Sequence, residues 1–147
     1  GGYTPLNFDL GFDGAVPAGK ALSRSLNVPA IRMLQQFKGP RFYEILKHGG
    51  LSTLNKPAAH YGLSLVLGGC EVTMWELAGY YASLARILNH DDKNKGRIDL
   101  NDIHSPKYFD DQPVKKFKQA NFPIDATSLY FTFRSMQEVM RPGEEGL

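Results

Sequence analysis

The chain has 147 residues, of which 42% are hydrophobic and 12% aromatic, enough for one domain with a core. Seventeen Lys and Arg residues against fifteen Asp and Glu residues leave a formal charge of +2, too small to indicate nucleic acid or an anionic membrane as a partner. The only cysteine, Cys70, excludes an intramolecular disulfide and is interpreted as a small buried hydrophobic residue. No apolar stretch approaches the ~20 residues of a membrane-spanning helix, so this segment is expected not to span a membrane.

Five helices are predicted from apolar residues at helical spacing and from helix start and stop residues. An irregular arm rich in Gly, Pro, Asn and Asp precedes them. Pro29 is expected to open the second helix, because the residue before a proline disfavours the α region. Gly39-Pro40 is expected to end that helix and start the third. The predicted ranges are 18–24, 29–37, 41–48, 73–88 and 126–140.

The two longest predicted helices have clear start residues. Thr73 and Glu76 form a capping-box pattern, in which the hydroxyl and the carboxylate each accept a hydrogen bond from the other residue's amide. Asp125 is expected to cap the last helix, which Arg141-Pro142-Gly143 ends. The apolar stripe predicted for the helix after Thr73 consists of Leu77, Tyr81, Leu84 and Leu88.

The remaining segments are less regular. The short apolar run 63–67 is consistent with either a strand or a buried helix. Residues 89–102 are expected to form an exposed charged loop, and residues 103–117 to hold one or two short strands around Pro106 and Pro113. With so little strand predicted, the sequence indicates a mainly α fold.

One short pattern, Ser25-Leu26-Asn27, is uninformative alone, because both polar residues are common at helix ends and Asn27 fits a cap for the helix that follows. Its surroundings are more specific. Residues 21–32, ALSRSLNVPAIR, resemble the stretch around the second active-site motif of class A penicillin-binding proteins. Three further resemblances occur in the family's order, and together they cover nearly the whole chain and look most like the 1C branch. They lie at residues 3–14, 65–85 and 136–142.

This resemblance implies the helical lobe of a β-lactamase-like α/β transpeptidase domain. Serine-type penicillin binders combine Ser-x-x-Lys, Ser-x-Asn and Lys-Thr-Gly in one cleft. No serine in this chain has Lys three residues later, and Lys47-His48-Gly49 is predicted at a helix end rather than on a strand. Residues 1–147 are therefore expected to be an internal segment between the first and third motifs, without the nucleophile and inactive alone.

By the same resemblance, Ser25 is expected to relay a proton and Asn27 to hold the substrate. The longer protein of which the chain would be a part, called here the parent protein, would cross-link D-Ala-D-Ala stem peptides of peptidoglycan through a serine acyl-enzyme and bind β-lactams. It would act on the periplasmic side of the bacterial inner membrane and need no cofactor or metal. The exposed apolar face of the excised lobe, rich in Leu and Phe, is expected to favour homo-oligomers.

Two other function classes stay open from the residues alone. One is a non-catalytic helical interaction module. The other is a helix-turn-helix regulator using residues 18–37, disfavoured because Asn27-Val28-Pro29 would lie in the turn and Arg32 is the only early base-reading side chain. No metal or nucleotide motif is present in the sequence, and the four His residues are interpreted as surface or satisfied residues. Trp75, Tyr80 and Tyr81 are interpreted as core or helix-interface residues rather than a sugar-stacking shelf.

Overall fold

A computed structural model describes residues 5–8, 10–91, 98–114 and 124–139. All five predicted helices are present in this part of the chain, and a short additional one, α4, follows the third. The mainly α character is therefore confirmed. The elements in order are α1 (Ala18–Ser23), α2 (Asn27–Phe37), α3 (Gly39–His48), α4 (Ala58–Tyr61), a 3₁₀-helix (Gly62–Leu67), α5 (Met74–Asn89), a second 3₁₀-helix (Leu100–Asp102) and α6 (Ala126–Gln137).

The break between α1 and α2 lies earlier than predicted. Ser25 has a φ of 53° and interrupts the helical path, so α2 already begins at Asn27, and Pro29 lies inside its first turn. Proline is tolerated there because first-turn amides have no acceptor within the helix. The next boundary also differs, because Lys38, with a φ of 79°, rather than Gly39-Pro40 separates α2 from α3.

The two segments for which a strand was considered contain 3₁₀-helices instead. Residues 62–67 form a 3₁₀-helix, which decides between the two structures open for that run. Residues 98–114 contain the 3₁₀-helix and an isolated bridge residue, His104, so the predicted strands are not found there. Asp125 caps α6 as predicted, its Oδ1 accepting from the Ser128 amide at 2.6 Å. The helix ends at Gln137, and the predicted stop at 141–143 lies outside the described residues.

Two apolar clusters hold the helices together. Burying each aliphatic side chain contributes roughly 1.5–3 kcal/mol, so these clusters decide which helix faces meet. The second cluster contains Leu65 of the first 3₁₀-helix, and α2 packs directly on that 3₁₀-helix. The first cluster consists of Ile45, Ile87, Ile103, Ala126 and Leu129, and the second of Tyr43, Leu51, Leu54 and Leu65.

Leu84 and Leu88 of the predicted stripe pack against the first cluster, but the most buried face of α5 is a different one. Its buried residues are Gly79, Ser83 and Ile87, whereas Leu77 and Tyr81 are 40% and 42% exposed. The small residues face the segment after the second 3₁₀-helix, where Pro106 contacts Gly79 so closely that a Cβ at residue 79 would overlap it. Because that segment has no periodicity of its own, the sequence pattern does not reveal this contact. Self-association of the chain through an exposed apolar face stays a prediction.

The capping box at the start of α5 forms in part. Thr73 Oγ1 accepts from the Glu76 amide at 3.1 Å, as predicted. The Glu76 carboxylate instead accepts from the Ser52 amide at 3.1 Å, from the Ser52 hydroxyl and from Thr53 Oγ1 at 3.3 Å. Partial burial raises the pKa of the Glu76 carboxyl, but hydrogen bonds from Ser52, Thr53 and the Thr73 backbone outweigh it, so the pKa lies below its usual value. Glu76 therefore joins α5 to the loop after α3.

We expect Glu76→Gln to lower the free energy of unfolding by about 1 kcal/mol at neutral pH, because glutamine removes charge-assisted hydrogen bonds. The folded-state pKa of Glu76 is depressed, so its contribution is complete above the unfolded-state pKa and is lost as the pH falls through the folded-state pKa. Urea unfolding of both proteins at neutral and successively lower pH measures this. The difference between them should shrink toward acid, and a growing difference would contradict the assignment.

Candidate functional site

The turn between α1 and α2 brings Ser25 and Asn27 to the surface on either side of a buried leucine. The Leu26 amide donates to the Ala21 carbonyl at 2.9 Å, and the Ser25 amide donates to the Leu22 carbonyl at 2.9 Å. Leu26 is only 8% exposed and anchors the turn in the core. Alternation around this anchor leaves Ser25 exposed and Asn27 half-buried.

Ser25 and Asn27 line the same concavity, of about 210 Å³, which we call the Ser25 cleft. Its walls come from the end of α1, the first turns of α2 and the last residues of the first 3₁₀-helix. Ser25 and Asn27 thus lie at one open concavity at a helix junction, while their assignment to an active site stays a prediction. The other lining residues are Ala21, Leu22, Leu26, Ala30, Met33, Val66 and Leu67.

Ser25 has a strained backbone and a hydroxyl that can form new hydrogen bonds. Its left-handed backbone, at a φ of 53°, costs a non-glycine residue about 1–3 kcal/mol, and such strain is concentrated at functional sites. Its hydroxyl has no hydrogen-bond partner among the described residues. A serine hydroxyl can donate one hydrogen bond and accept two, and all of this capacity is available in the cleft.

Asn27 does not cap α2, so the helix-cap interpretation is wrong. The N-cap residue is Leu26, whose apolar side chain cannot accept a hydrogen bond from the first amides of α2. The Asn27 side chain instead donates through Nδ2 to the Leu6 carbonyl at 3.1 Å. This contact orients the amide and leaves its second N–H and its Oδ1 without a partner among the described residues.

Asn7 supplies the missing cap from the arm before α1. Its Oδ1 accepts from the Val28 amide at 3.1 Å, and its Nδ2 donates to the Gly11 carbonyl at 2.9 Å. The side chain is buried, with 7% of the residue exposed, and Arg24 forms an ion pair with Asp13 beside it. The sequence did not indicate this role of Asn7, because the Val28 amide that it caps lies 21 residues further along the chain. The only sequence signal was an Asn, a residue that often bonds to nearby backbone, in a loop rich in Pro and Asp.

We expect Asn7→Ala to lower the free energy of unfolding by about 1–3 kcal/mol, because the buried Val28 amide loses its acceptor and the hydrogen bond from Asn7 to the Gly11 carbonyl is removed. The arm should detach from α2, and with it the Leu6 carbonyl that orients Asn27. Urea unfolding followed by circular dichroism measures the stability. Asn55→Ala is the matched control, since Asn55 is exposed and should change stability by less than about 0.5 kcal/mol. Equal effects of the two substitutions would contradict the role of Asn7.

Other candidate groups in the described residues do not form a reactive site. Cys70 is half-buried against the second apolar cluster, and burial raises the pKa of its thiol, opposite to the shift in a nucleophilic cysteine. His90 Nδ1 lies 2.7 Å from Asp102 Oδ1. The His90 ring therefore has a hydrogen-bond partner, in agreement with its interpretation as a satisfied residue. In this part of the chain no three His, Cys, Asp or Glu side chains are placed to hold a metal ion. Its helices are all too short or too polar to cross a membrane.

Sequence comparison with curated proteins finds relatives of this chain. The chain is 40% identical to penicillin-binding protein 1C of Escherichia coli over 86 residues, 58% of this chain and 11% of that protein. It is 28% identical to penicillin-binding protein 1A of Neisseria cinerea over 149 aligned positions, which cover 96% of this chain and 17% of that protein. It is also 33% identical to penicillin-binding protein 1F of Bacillus subtilis over 87 residues. Its relatives are penicillin-binding proteins.

This result confirms the resemblance found in the sequence, including the likeness to penicillin-binding protein 1C. The chain spans only 11–17% of the length of these three penicillin-binding proteins. No protein-family model and no solved structure matches the chain. The relationship therefore supports a cell-wall context for the chain, while the roles of Ser25 and Asn27 stay predictions.

Proposed function

We propose that residues 1–147 are an internal part of a peptidoglycan D,D-transpeptidase domain, between its Ser-x-x-Lys and Lys-Thr-Gly motifs, and that Ser25 and Asn27 belong to its active site. The observation that carries this proposal is the strained Ser25, whose hydroxyl has no partner among the described residues, in the same cleft as Asn27. The relatives, all penicillin-binding proteins, support it. The parent protein would act on the periplasmic side of the inner membrane.

The chemistry is acyl transfer from a D-Ala-D-Ala stem peptide. The Ser-x-x-Lys serine outside this chain attacks the penultimate D-Ala carbonyl, the C–N bond to the last D-Ala breaks, and the serine proton ends on the leaving amine. Ser25 passes this proton, accepting one and donating its own, which an unpaired hydroxyl can do without first breaking another hydrogen bond. The amine of a second stem peptide then takes the acyl group, which forms the cross-link and releases the serine. None of these steps requires a metal or organic cofactor.

Asn27 holds the substrate backbone beside Ser25. One N–H of its amide is engaged by the Leu6 carbonyl, which leaves the second N–H and Oδ1 to bind the stem peptide or the side chain of a β-lactam. An amide already oriented by the protein loses less entropy on binding than a free one. The arm that carries Leu6 thus belongs to the proposed substrate site.

The rim of the Ser25 cleft is apolar and exposed, as expected for a lobe separated from the rest of its domain. Met33, Leu22 and Leu67 are 50%, 43% and 38% exposed. We assign this rim to contact with the part of the transpeptidase domain that carries the other two motifs. A DNA-reading role for α2 is less favourable, because Asn7 and Leu6 cover its first turn.

The proposal is tested by exposing the 147-residue chain to a fluorescent penicillin. We expect no covalent adduct, because a serine without an adjacent base is a poor nucleophile and the Ser-x-x-Lys pair is absent from this sequence. Intact-mass spectrometry measures the result, and the parent protein spanning all three motifs serves as the positive control, labelled at its Ser-x-x-Lys serine. An adduct on any serine of the chain, or an unlabelled parent protein, would overturn the proposal.

A further inference from the structure

A second cavity lies away from the Ser25 cleft, between the end of α3 and the start of α5. It has a volume of about 280 Å³, enough for one six-membered sugar ring with its substituents. Gly49, Gly50 and Gly79 contribute backbone without side chains to its wall. The groups that define it, called here the aromatic cavity, are Lys47, Ser52, Trp75, Glu76 and Pro106.

The Trp75 indole lines this cavity and is held in place by Tyr108, which is not itself one of the lining residues. The Trp75 indole lies flat on the Tyr108 ring, with 4.2 Å between centroids and 5° between planes. Trp75 is nevertheless 39% exposed and Tyr108 71% exposed, so of the two interpretations of Trp75, core residue or helix-interface residue, the first is wrong. An indole that is already fixed by stacking loses little entropy on binding, and the part of Trp75 that Tyr108 leaves exposed offers an apolar surface to the cavity.

The polar groups of the cavity comprise both a cation and an anion. Partial burial raises the pKa of the Glu76 carboxyl, but hydrogen bonds from Ser52 and Thr53 favour the carboxylate, and the net result is a lowered pKa. The Lys47 ammonium lies 3.3 Å from the Tyr43 hydroxyl and retains further donors. The cavity therefore offers ionised donors and acceptors beside an aromatic wall.

This combination decides which ligand chemistry fits. A purely apolar ligand would desolvate Lys47 and Glu76 without replacing their hydrogen bonds. A ligand with a single charge would be attracted by one of these groups and repelled by the other. A neutral ligand with several hydroxyl groups and one apolar face satisfies both ions and covers the indole at the same time.

We propose that the aromatic cavity binds a pyranose unit of a glycan, with Trp75 against the apolar face of the ring and Lys47 and Glu76 hydrogen-bonded to its hydroxyl groups. The choice of an N-acetylglucosamine oligomer as the probe rests on the proposed function, because peptidoglycan strands contain this sugar. The site is separate from Ser25 and Asn27. Glycan binding and acylation thus succeed or fail independently.

The test is titration of the full chain with N-acetylglucosamine tetramer. Trp75 is the only tryptophan, so its fluorescence reports on this cavity alone. We expect a saturable change with a Kd on the order of 1 mM, typical of a site that holds one or two sugar units. Saturation-transfer NMR measures the same binding for two variants. Trp75→Ala should weaken glycan binding about tenfold, and Lys47→Met severalfold. Because Lys47 is exposed, its replacement should have little effect on folding.

Tyr81→Ala is the matched control, because Tyr81 is an exposed aromatic residue on the same helix that does not line the cavity. Its glycan affinity should equal that of the unchanged chain. No binding at 20-fold the expected Kd, or undiminished binding in both cavity variants, would overturn the proposal. Binding of an alanine peptide at Trp75 in place of the tetramer would overturn it as well. Loss of penicillin labelling in the parent protein with intact glycan binding would count against the proposed function and leave this inference standing.

Discussion

Replacing Ser25 with alanine in the parent protein is expected to slow acylation by penicillin about 10²–10⁴-fold, the usual contribution of one positioned proton-transfer group. The hydroxyl has no partner in the part of the chain that the structure describes, so its removal deletes the relay without leaving a group of that part unsatisfied. Stability should change little, because the backbone strain at residue 25 is present in both proteins. The loss is therefore expected in the rate of acylation rather than in folding.

Stopped-flow labelling with fluorescent penicillin separates binding from acylation in this experiment. The second-order rate should fall while the pre-covalent complex persists. Thr132→Ala is the matched control, since it removes an exposed hydroxyl that bonds only within α6, to the Ser128 carbonyl at 2.8 Å. An undiminished rate in Ser25→Ala would remove the relay role, and a similar loss in Thr132→Ala would show that the effect is not specific.

Asn27→Ala in the same protein is expected to give the opposite pattern. It should weaken the pre-covalent complex by about 1–3 kcal/mol, because substrate groups lose a hydrogen-bond partner. The rate of acylation from the bound complex should change less than in Ser25→Ala. The two variants thus distinguish a group that holds the substrate from one that moves a proton.

Leu54→Ala is expected to destabilise the chain by about 2–5 kcal/mol, lowering Tm by about 10 °C. Leu54 is 0% exposed and packs with Tyr43, Leu51 and Leu65, so its truncation leaves a cavity in the second cluster. Leu65 belongs to the 3₁₀-helix that supplies Val66 and Leu67 to the Ser25 cleft. The substitution should therefore also loosen that wall of the cleft.

Thermal unfolding followed by circular dichroism measures this effect. Leu77→Ala makes the same chemical change on the exposed face of α5, where Leu77 is 40% exposed, and should cost less than about 1 kcal/mol. A loss in Leu54→Ala no larger than in Leu77→Ala would contradict the assignment of Leu54 to the core.

Local sequence patterns determined the five predicted helices, apart from some of their boundaries, and the caps of α5 and α6. Thr73 and Asp125 cap α5 and α6 as predicted, because a cap joins atoms only three residues apart. The family resemblance was also readable, since residues 21–32 keep the order and spacing of the Ser-x-Asn motif. Both conclusions depend on short stretches of chain, and neighbouring residues decide them without reference to the rest of the fold.

Long-range contacts were decided only by the tertiary structure. Asn7 caps α2 across 21 residues, Glu76 binds Ser52 and Thr53 instead of completing its own box, and Pro106 packs on Gly79. In each of these contacts, the position of a polar or small residue depends on a partner in an irregular segment. For the same reason the most buried residues of α5 are Gly79, Ser83 and Ile87, and only Leu84 and Leu88 of the predicted stripe pack against the first cluster. Apolar periodicity predicts that a helix is buried on one side, whereas the segment that packs against it selects which side.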